Sequence, residues 1–199
     1  LILESVRSAA DVISRGAGRQ PRKRPLSALR GTRPGATIFF MKRSRELKPL
    51  SAEHHQALLV AFQVKKSLEG HPEAAGAPKD LPGLLALARR FEEEVFQPHA
   101  RAEEELLGKY LTSGDVKRLA AEHAELTRQL QLARSATAAD LRAALGAFAE
   151  LLERHVHWEE RELFPYAEDH VDQDALAMIG GELEKRLVLA GLGARSARH

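Results

Sequence analysis

Two stretches of this chain pair an imidazole with a carboxylate at a spacing that one helix face can use. The first reads Pro98-His99-Ala-Arg-Ala-Glu103-Glu104 and the second His155-Val-His-Trp-Glu159-Glu160. Both contain His-x-x-x-Glu-Glu. Residues four apart on a helix have Cβ atoms about 5–6 Å apart, so His99 with Glu103, and His155 with Glu159, can reach toward one point. In each stretch that face continues an apolar stripe, Phe91 and Val95 before His99, Phe148 and Leu152 before His155. His54 and His123 occupy stripe positions in two further segments. A lone interior histidine is ordinarily a hydrogen-bonded structural residue. A Glu-rich helix is ordinarily a solvated face, which is the reading given to Glu92, Glu93, Glu94, Glu104, Glu105, Glu160 and Glu162. The joint pattern departs from both. Imidazoles and carboxylates gathered in one interior would each cost several kcal/mol if left without partners. A pair of cations is a partner that neutralises the carboxylates and accepts the imidazole lone pairs.

The donor types narrow the metal. The chain has no Cys, which excludes disulfides, thiolate zinc sites, iron–sulfur clusters and thiol catalysis. Mixed imidazole and carboxylate donors suit iron, manganese or zinc. Six candidates, His54, His99, Glu103, His123, His155 and Glu159, exceed the four donors of one structural zinc. They match two ions, with both carboxylates able to bridge at a separation of about 3.5–4 Å. The His-Glu-x-x-His arrangement of zinc proteases is absent, and the spacing differs from the Glu-x-x-His pairs of ferritin-like bundles.

Helices must position these residues. With 44% hydrophobic and 29% charged residues in 199, most of the chain can bury a core, and with only 5% aromatics the composition favours helices over a sandwich or barrel. Leu50, His54, Leu58, Ala61 and Leu68 mark a first helix, with Ser51 as a candidate N-cap. A second runs from about Leu81 to Leu111, with Pro98 predicting a kink. Thr112-Ser-Gly-Asp115 breaks and caps, and a third helix follows through Val116, Leu119, His123, Leu126 and Leu130. A capping-box-like start at Thr137–Asp140 opens a fourth, through Leu141, Leu145, Phe148, Leu152, His155 and Glu159, which Leu163-Phe164-Pro165 is expected to end. The expected fold is all-α, an antiparallel up-down four-helix bundle. A short fifth helix near Asp172–Ala190 is expected to be interrupted or frayed at Gly180-Gly181.

Charge divides the chain. Residues 1–48 hold 12 Lys/Arg against 3 Asp/Glu, a balance of +9; the remainder holds 18 against 25, or −7. The first forty residues, rich in Arg, Ser, Gly and Pro, bury too little to offset their ordering entropy. Met41 is the expected natural start. The expected organisation is a disordered basic extension over 1–44, the bundle over 45–170, and a helix and tail over 171–199. No apolar run approaches the span of a bilayer. No secretory segment is visible in the sequence, and a cytoplasmic location is expected, with neither membrane nor nucleic acid as partner.

These stretches resemble the hemerythrin family, in its broad bacterial HHE cation-binding branch. The likeness runs through Leu50-Ser-Ala-Glu-His54-His55-Gln-Ala-Leu58, Pro98-His99-Ala-Arg-Ala-Glu103-Glu104, Ala121-Glu-His123-Ala-Glu-Leu126 and His155-Val-His-Trp-Glu159-Glu160-Arg-Glu-Leu-Phe-Pro165. The resemblance implies a bundle around two non-haem iron ions, bridged by Glu103, Glu159 and an oxo or hydroxo group, with His54, His99, His123 and His155 as further ligands. It implies binding or sensing of a small ligand such as dioxygen or nitric oxide. The alternatives are an oxidoreductase acting on peroxide or nitric oxide, iron handling, or a metal-free interaction bundle; a binding role is expected over catalysis. His55 competes with His54, which the acidic residue before it and Leu50 favour. His157 points some 200° from His155 on an ideal helix and is read as exterior, His71, His170 and His199 as loop or tail residues, and Trp158 and Phe164 as packing. Where oxygen-carrying members place a second histidine in the third helix, this chain has Thr127.

Overall fold

Helix boundaries here are set by a few local devices, visible in the computed structural model, which describes residues 44–71 and 76–196, with side chains to residue 186. Helix α1 (Lys48–Leu68) carries Pro49 in its first turn, where a missing N–H costs nothing. It stops at Gly70, whose φ of 73° lies in the left-handed region. There the amides of Gly70 and His71 turn back to the carbonyls of Ser67 and Lys66 at 3.1 and 2.9 Å. Ser51 is not its cap. It lies inside the first turns, buried, and its hydroxyl donates instead to Glu160.

The helix predicted over Leu81–Leu111 is built in pieces. Asp80 opens α2 (Leu81–Phe91) by accepting the Gly83 amide at 2.7 Å. A π-helical turn (Glu92–Phe96) joins it to α3 (Gln97–Leu106), and a 3₁₀ turn (Gly108–Tyr110) follows. The expected kink at Pro98 takes the form of that wide turn. A proline inside an α-helix lacks its own N–H and presses on the carbonyl four residues back. Here the Gln97 amide reaches the Glu92 carbonyl instead, five residues back. The burial pattern follows: Phe96, five residues after Phe91, is enclosed, whereas Val95 is half-buried.

Thr112 and Thr137 cap α4 (Ser113–Leu132) and α5 (Ala138–Trp158), accepting the amides of Asp115 and Asp140 at 3.1 and 3.3 Å. Both caps are where the sequence predicts them. Pro165, however, does not end the last of these helices. A second π turn (Glu159–Leu163) leads into α6 (Phe164–His170), the Phe164 amide reaching back to Glu159. Both prolines are thus admitted in the same way, two residues or fewer after a wide turn.

After Asp172, which caps the Ala175 amide at 2.8 Å, α7 (Gln173–Ser196) runs 24 residues. It is neither short nor broken at Gly180-Gly181. Gly180 serves close packing: a Cβ there would lie 2.9 Å from Cα of Glu46.

Helix α5 lies along α1 and α4, and α7 packs on α3 and α1. No strand occurs among the described residues, so the all-α expectation holds. Ala61, Val64, Leu84, Leu130, Leu145 and Phe148 are among the enclosed apolar residues, each large one contributing about 1.5–3 kcal/mol by burial. These residues all fall within one compact unit. No helix among the described residues is long and apolar enough to cross a membrane. Residues 1–43 of the basic extension, Met41 among them, lie outside the described residues.

Candidate metal centre

Each predicted donor arrives from a helix whose apolar face it shares. His54 comes from α1, His99 and Glu103 from α3, His123 from α4, His155 from α5, and Glu159 from the π turn after it. The structure brings all six together. Glu103 and Glu159 have no solvent exposure at all, and none of the four histidines exceeds 5%.

The donors sort into two adjoining groups. His54, His99, Glu103 and Glu159 form one, and Glu103, His123, His155 and Glu159 the other. Within each group one ligand atom per residue lies within 4.8 Å of the rest. The two carboxylates belong to both groups, as bridging residues must. Nε2 of His54 stands 3.1 Å from Glu159, Nε2 of His99 3.2 Å from Glu103, and Nε2 of His155 3.1 Å from Glu159. His123 Nε2 is 3.5 Å from Glu103. Nε2 atoms of His54 and His99 face each other at 3.2 Å.

Several of these atoms are orphans. Both oxygens of Glu103, both of Glu159, and Nε2 of His123 and His155 are enclosed without a hydrogen-bond partner. Unmade bonds of this kind cost about 1–3 kcal/mol each, more for charged groups. Cations fit that gap by sign and by donor type. In the metal-free chain, protons take up part of the strain. Burial alone would lower the imidazole pKa values, but facing carboxylates outweigh it. Glu159 and Glu160 raise that of His54, Glu103 raises that of His123, and Glu103 with Glu53 holds that of His99 well above the usual value. Burial likewise raises the Glu103 carboxyl, yet His99 and His123 hold it well below the carboxylate range.

The outer ring nitrogens show what the sequence reading missed. Every Nδ1 meets a glutamate: His54 with Glu160 at 2.7 Å, His99 with Glu53 at 3.0 Å, His123 with Glu104 at 2.7 Å, and His155 with Glu122 at 2.9 Å. An ionised carboxylate only accepts, so Nδ1–H donates and each ring, once neutral, turns its Nε2 lone pair inward. Glu104 and Glu160 are therefore not merely solvated residues, and Glu92 too is enclosed, burial raising its pKa. A signal was present in the sequence: each of these four glutamates directly adjoins one of the six donors.

The remaining candidates fall outside. His55 is exposed, beside Leu58, Leu59 and Phe62 in a surface groove. His157 is half-buried and belongs to neither donor group. His71 is exposed, His170 is the exposed last residue of α6 rather than a loop residue, and His199 lies outside the described residues. Thr127 accepts from Gln97 Nε2 at 3.0 Å and is likewise in neither group. Phe164 stacks on His54 at 5.2 Å, and Trp158 packs beneath the Arg118 guanidinium at 4.0 Å. His155→Ala is expected to lower the metal taken up by the chain, whereas His157→Ala leaves it unchanged; metal analysis of both variants checks this.

The fold and the cluster define a class: an all-helical chain whose core gathers two adjoining histidine–carboxylate groups, each of which could hold a cation. Residues 114–185 match the family model of the Hemerythrin HHE cation binding domain, the family that the motifs resemble. The match takes in His123, His155 and Glu159, while His54, His99 and Glu103 precede it and are brought to the same place by folding. Neither a curated protein nor a solved structure matches the chain.

Proposed function

We propose that this chain is an antiparallel four-helix bundle that holds two iron ions among His54, His99, Glu103, His123, His155 and Glu159, and binds a small diatomic ligand beside them. Its long members would be α1, α2 with α3, α4, and α5 with α6. The observation that carries the reading is the sharing of Glu103 and Glu159 by two donor groups. Iron so held supplies Lewis acidity and a one-electron redox change. The chain's own part is to orient the imidazoles, neutralise the ions and shape a dry space.

That space exists. Ala57, Phe91, Val95, Phe96, Leu152 and Val156 enclose a pocket against His54, His99, His155 and Glu159, with about 10 Å³ open to the centre of a water-sized sphere. Such a volume is about the least that holds one water. Its apolar lining beside the donors supports binding or sensing of a small ligand such as dioxygen or nitric oxide. Each group offers two imidazoles and two shared carboxylates, fewer donors than a six-coordinate ion takes. This supports the second reading, consumption of peroxide or nitric oxide.

Iron analysis and near-ultraviolet spectra of the purified chain test the proposal. Two equivalents of iron and absorption that changes with dioxygen, azide or nitric oxide are expected. Iron without any ligand response would refute the ligand role, and a chain that takes up no iron would refute the whole. Turnover clearly above that of free iron would select the second reading. Ala57→Leu fills the pocket from α1. It is expected to keep both ions and to weaken ligand binding at least about tenfold, at a packing cost of about 1–3 kcal/mol. Spectral titration checks it.

A further inference from the structure

The four outer glutamates form a closed circuit. Glu53 on α1 holds His99 on α3; Glu104 on α3 holds His123 on α4; Glu122 on α4 holds His155 on α5; Glu160, just beyond α5, holds His54 on α1. Each helix thus orients an imidazole of the next, and the last returns to the first. Orientation alone would be met by backbone carbonyls or neutral amides, which also accept Nδ1–H. The chain uses a carboxylate at all four places.

The consequence is electrostatic. With Glu103 and Glu159, six carboxylates surround a core with room for two cations. Two divalent ions leave that set with a surplus of two negative charges, whereas two trivalent ions match it. We infer that Glu53, Glu104, Glu122 and Glu160 are specificity-determining residues that make the cluster hold trivalent ions in preference to divalent ones. This rests on the reading of the cluster as a two-ion site.

The four do not act equally. Charges near water are screened and enclosed ones are not. Glu160 is 8% exposed, and the Ser51 hydroxyl donates to the oxygen that also meets His54. The Glu53 side chain is 17% exposed. Glu122 is shared with the Arg118 guanidinium at 2.7 Å, which offsets its charge. The Glu104 side chain is 45% exposed. By exposure, water screens Glu160 least and Glu104 most.

Glutamine variants separate charge from orientation, because the amide oxygen still accepts Nδ1–H while the negative charge is gone. Redox titration of the iron-loaded full chain, followed by its absorption, reads the result. Glu160→Gln is expected to keep both ions and to move the oxidised-to-reduced ratio at least tenfold toward the divalent state, a rise of about 59 mV for a one-electron couple. Glu53→Gln should shift it in the same direction, with Glu122→Gln and Glu104→Gln giving smaller rises. Glu105→Gln, on the same helix as Glu104 but paired outward with Arg186, should leave the potential unchanged. Should Glu160→Gln fail to fold, Glu53→Gln and Glu122→Gln carry the test. An unchanged or lowered potential in the ring variants that keep their iron overturns the inference while the two-ion reading stands. A starting chain that takes up no iron overturns both.

Discussion

Glu159→Gln is expected to remove both ions from the chain, where loss of a single histidine removes one. The reason is the sharing of donors. Glu159 completes the group of His54 and His99 and equally the group of His123 and His155. Its two oxygens face different imidazoles, Oε2 toward His54 and Oε1 toward His155, each at 3.1 Å. Glutamine keeps the volume, so the apolar surroundings of a fully buried side chain are not disturbed. It loses the charge and one of the two anionic donor atoms, and a neutral amide does not bridge two cations. An affinity loss exceeding the 10–100-fold typical of an outer partner is expected for both ions. Metal analysis after passage through a mild chelator measures it. Retention of both ions would mean that Glu159 is not shared between them.

Metal removal should have the second large effect, and on stability. The metal-free chain keeps orphaned carboxylate oxygens in its interior, which protons on His54, His99 and His123 offset in part. An ion present at a thousand times its Kd stabilises the folded state by about 4.1 kcal/mol. For a domain of this size, each kcal/mol moves Tm by about 2–4 °C. Chelation is thus expected to lower Tm by about 8–16 °C per strongly bound ion, read by circular dichroism. The same protons set the sign of the pH dependence. Imidazoles whose pKa values are raised in the metal-free chain must give up a proton before Nε2 can bind. Loading releases protons, and affinity falls as pH is lowered through the histidine range. A chelator competition at two pH values would show weaker binding at the lower one.

The donors were legible in the sequence because a step of four residues is unambiguous on a helix. His99 with Glu103 and His155 with Glu159 needed only that step, and Thr112 and Thr137 announced their helices by hydroxyl and Asp spacing. What escaped was whatever depended on the neighbouring helix. Glu104 and Glu160 sit about 100° around the helix from the donors beside them, a direction that looks solvent-facing until another helix brings His123 or His54 against it. Ser51 was misplaced for the same reason: its hydroxyl is taken by Glu160, 109 residues away. The wide turns escaped because Pro98 and Pro165 were read as a bend and a stop. The apolar step of five from Phe91 to Phe96 was the available sign for the first of them. Helix α7 runs through Gly180-Gly181, where the absence of a side chain on Gly180 admits Glu46, a constraint that propensity does not contain.

Those two wide turns also govern how this chain can tolerate changes in length. A wide turn takes in one residue more than ordinary winding does, the Gln97 amide reaching five residues back to Glu92. Dropping one residue within Glu92–Phe96 would restore the step of four and leave His99 and Glu103 on the face they now share with Phe91. Dropping one from the ordinarily wound α3 between Gln97 and His99 has no such reserve and would swing His99 and Glu103 by about 100°.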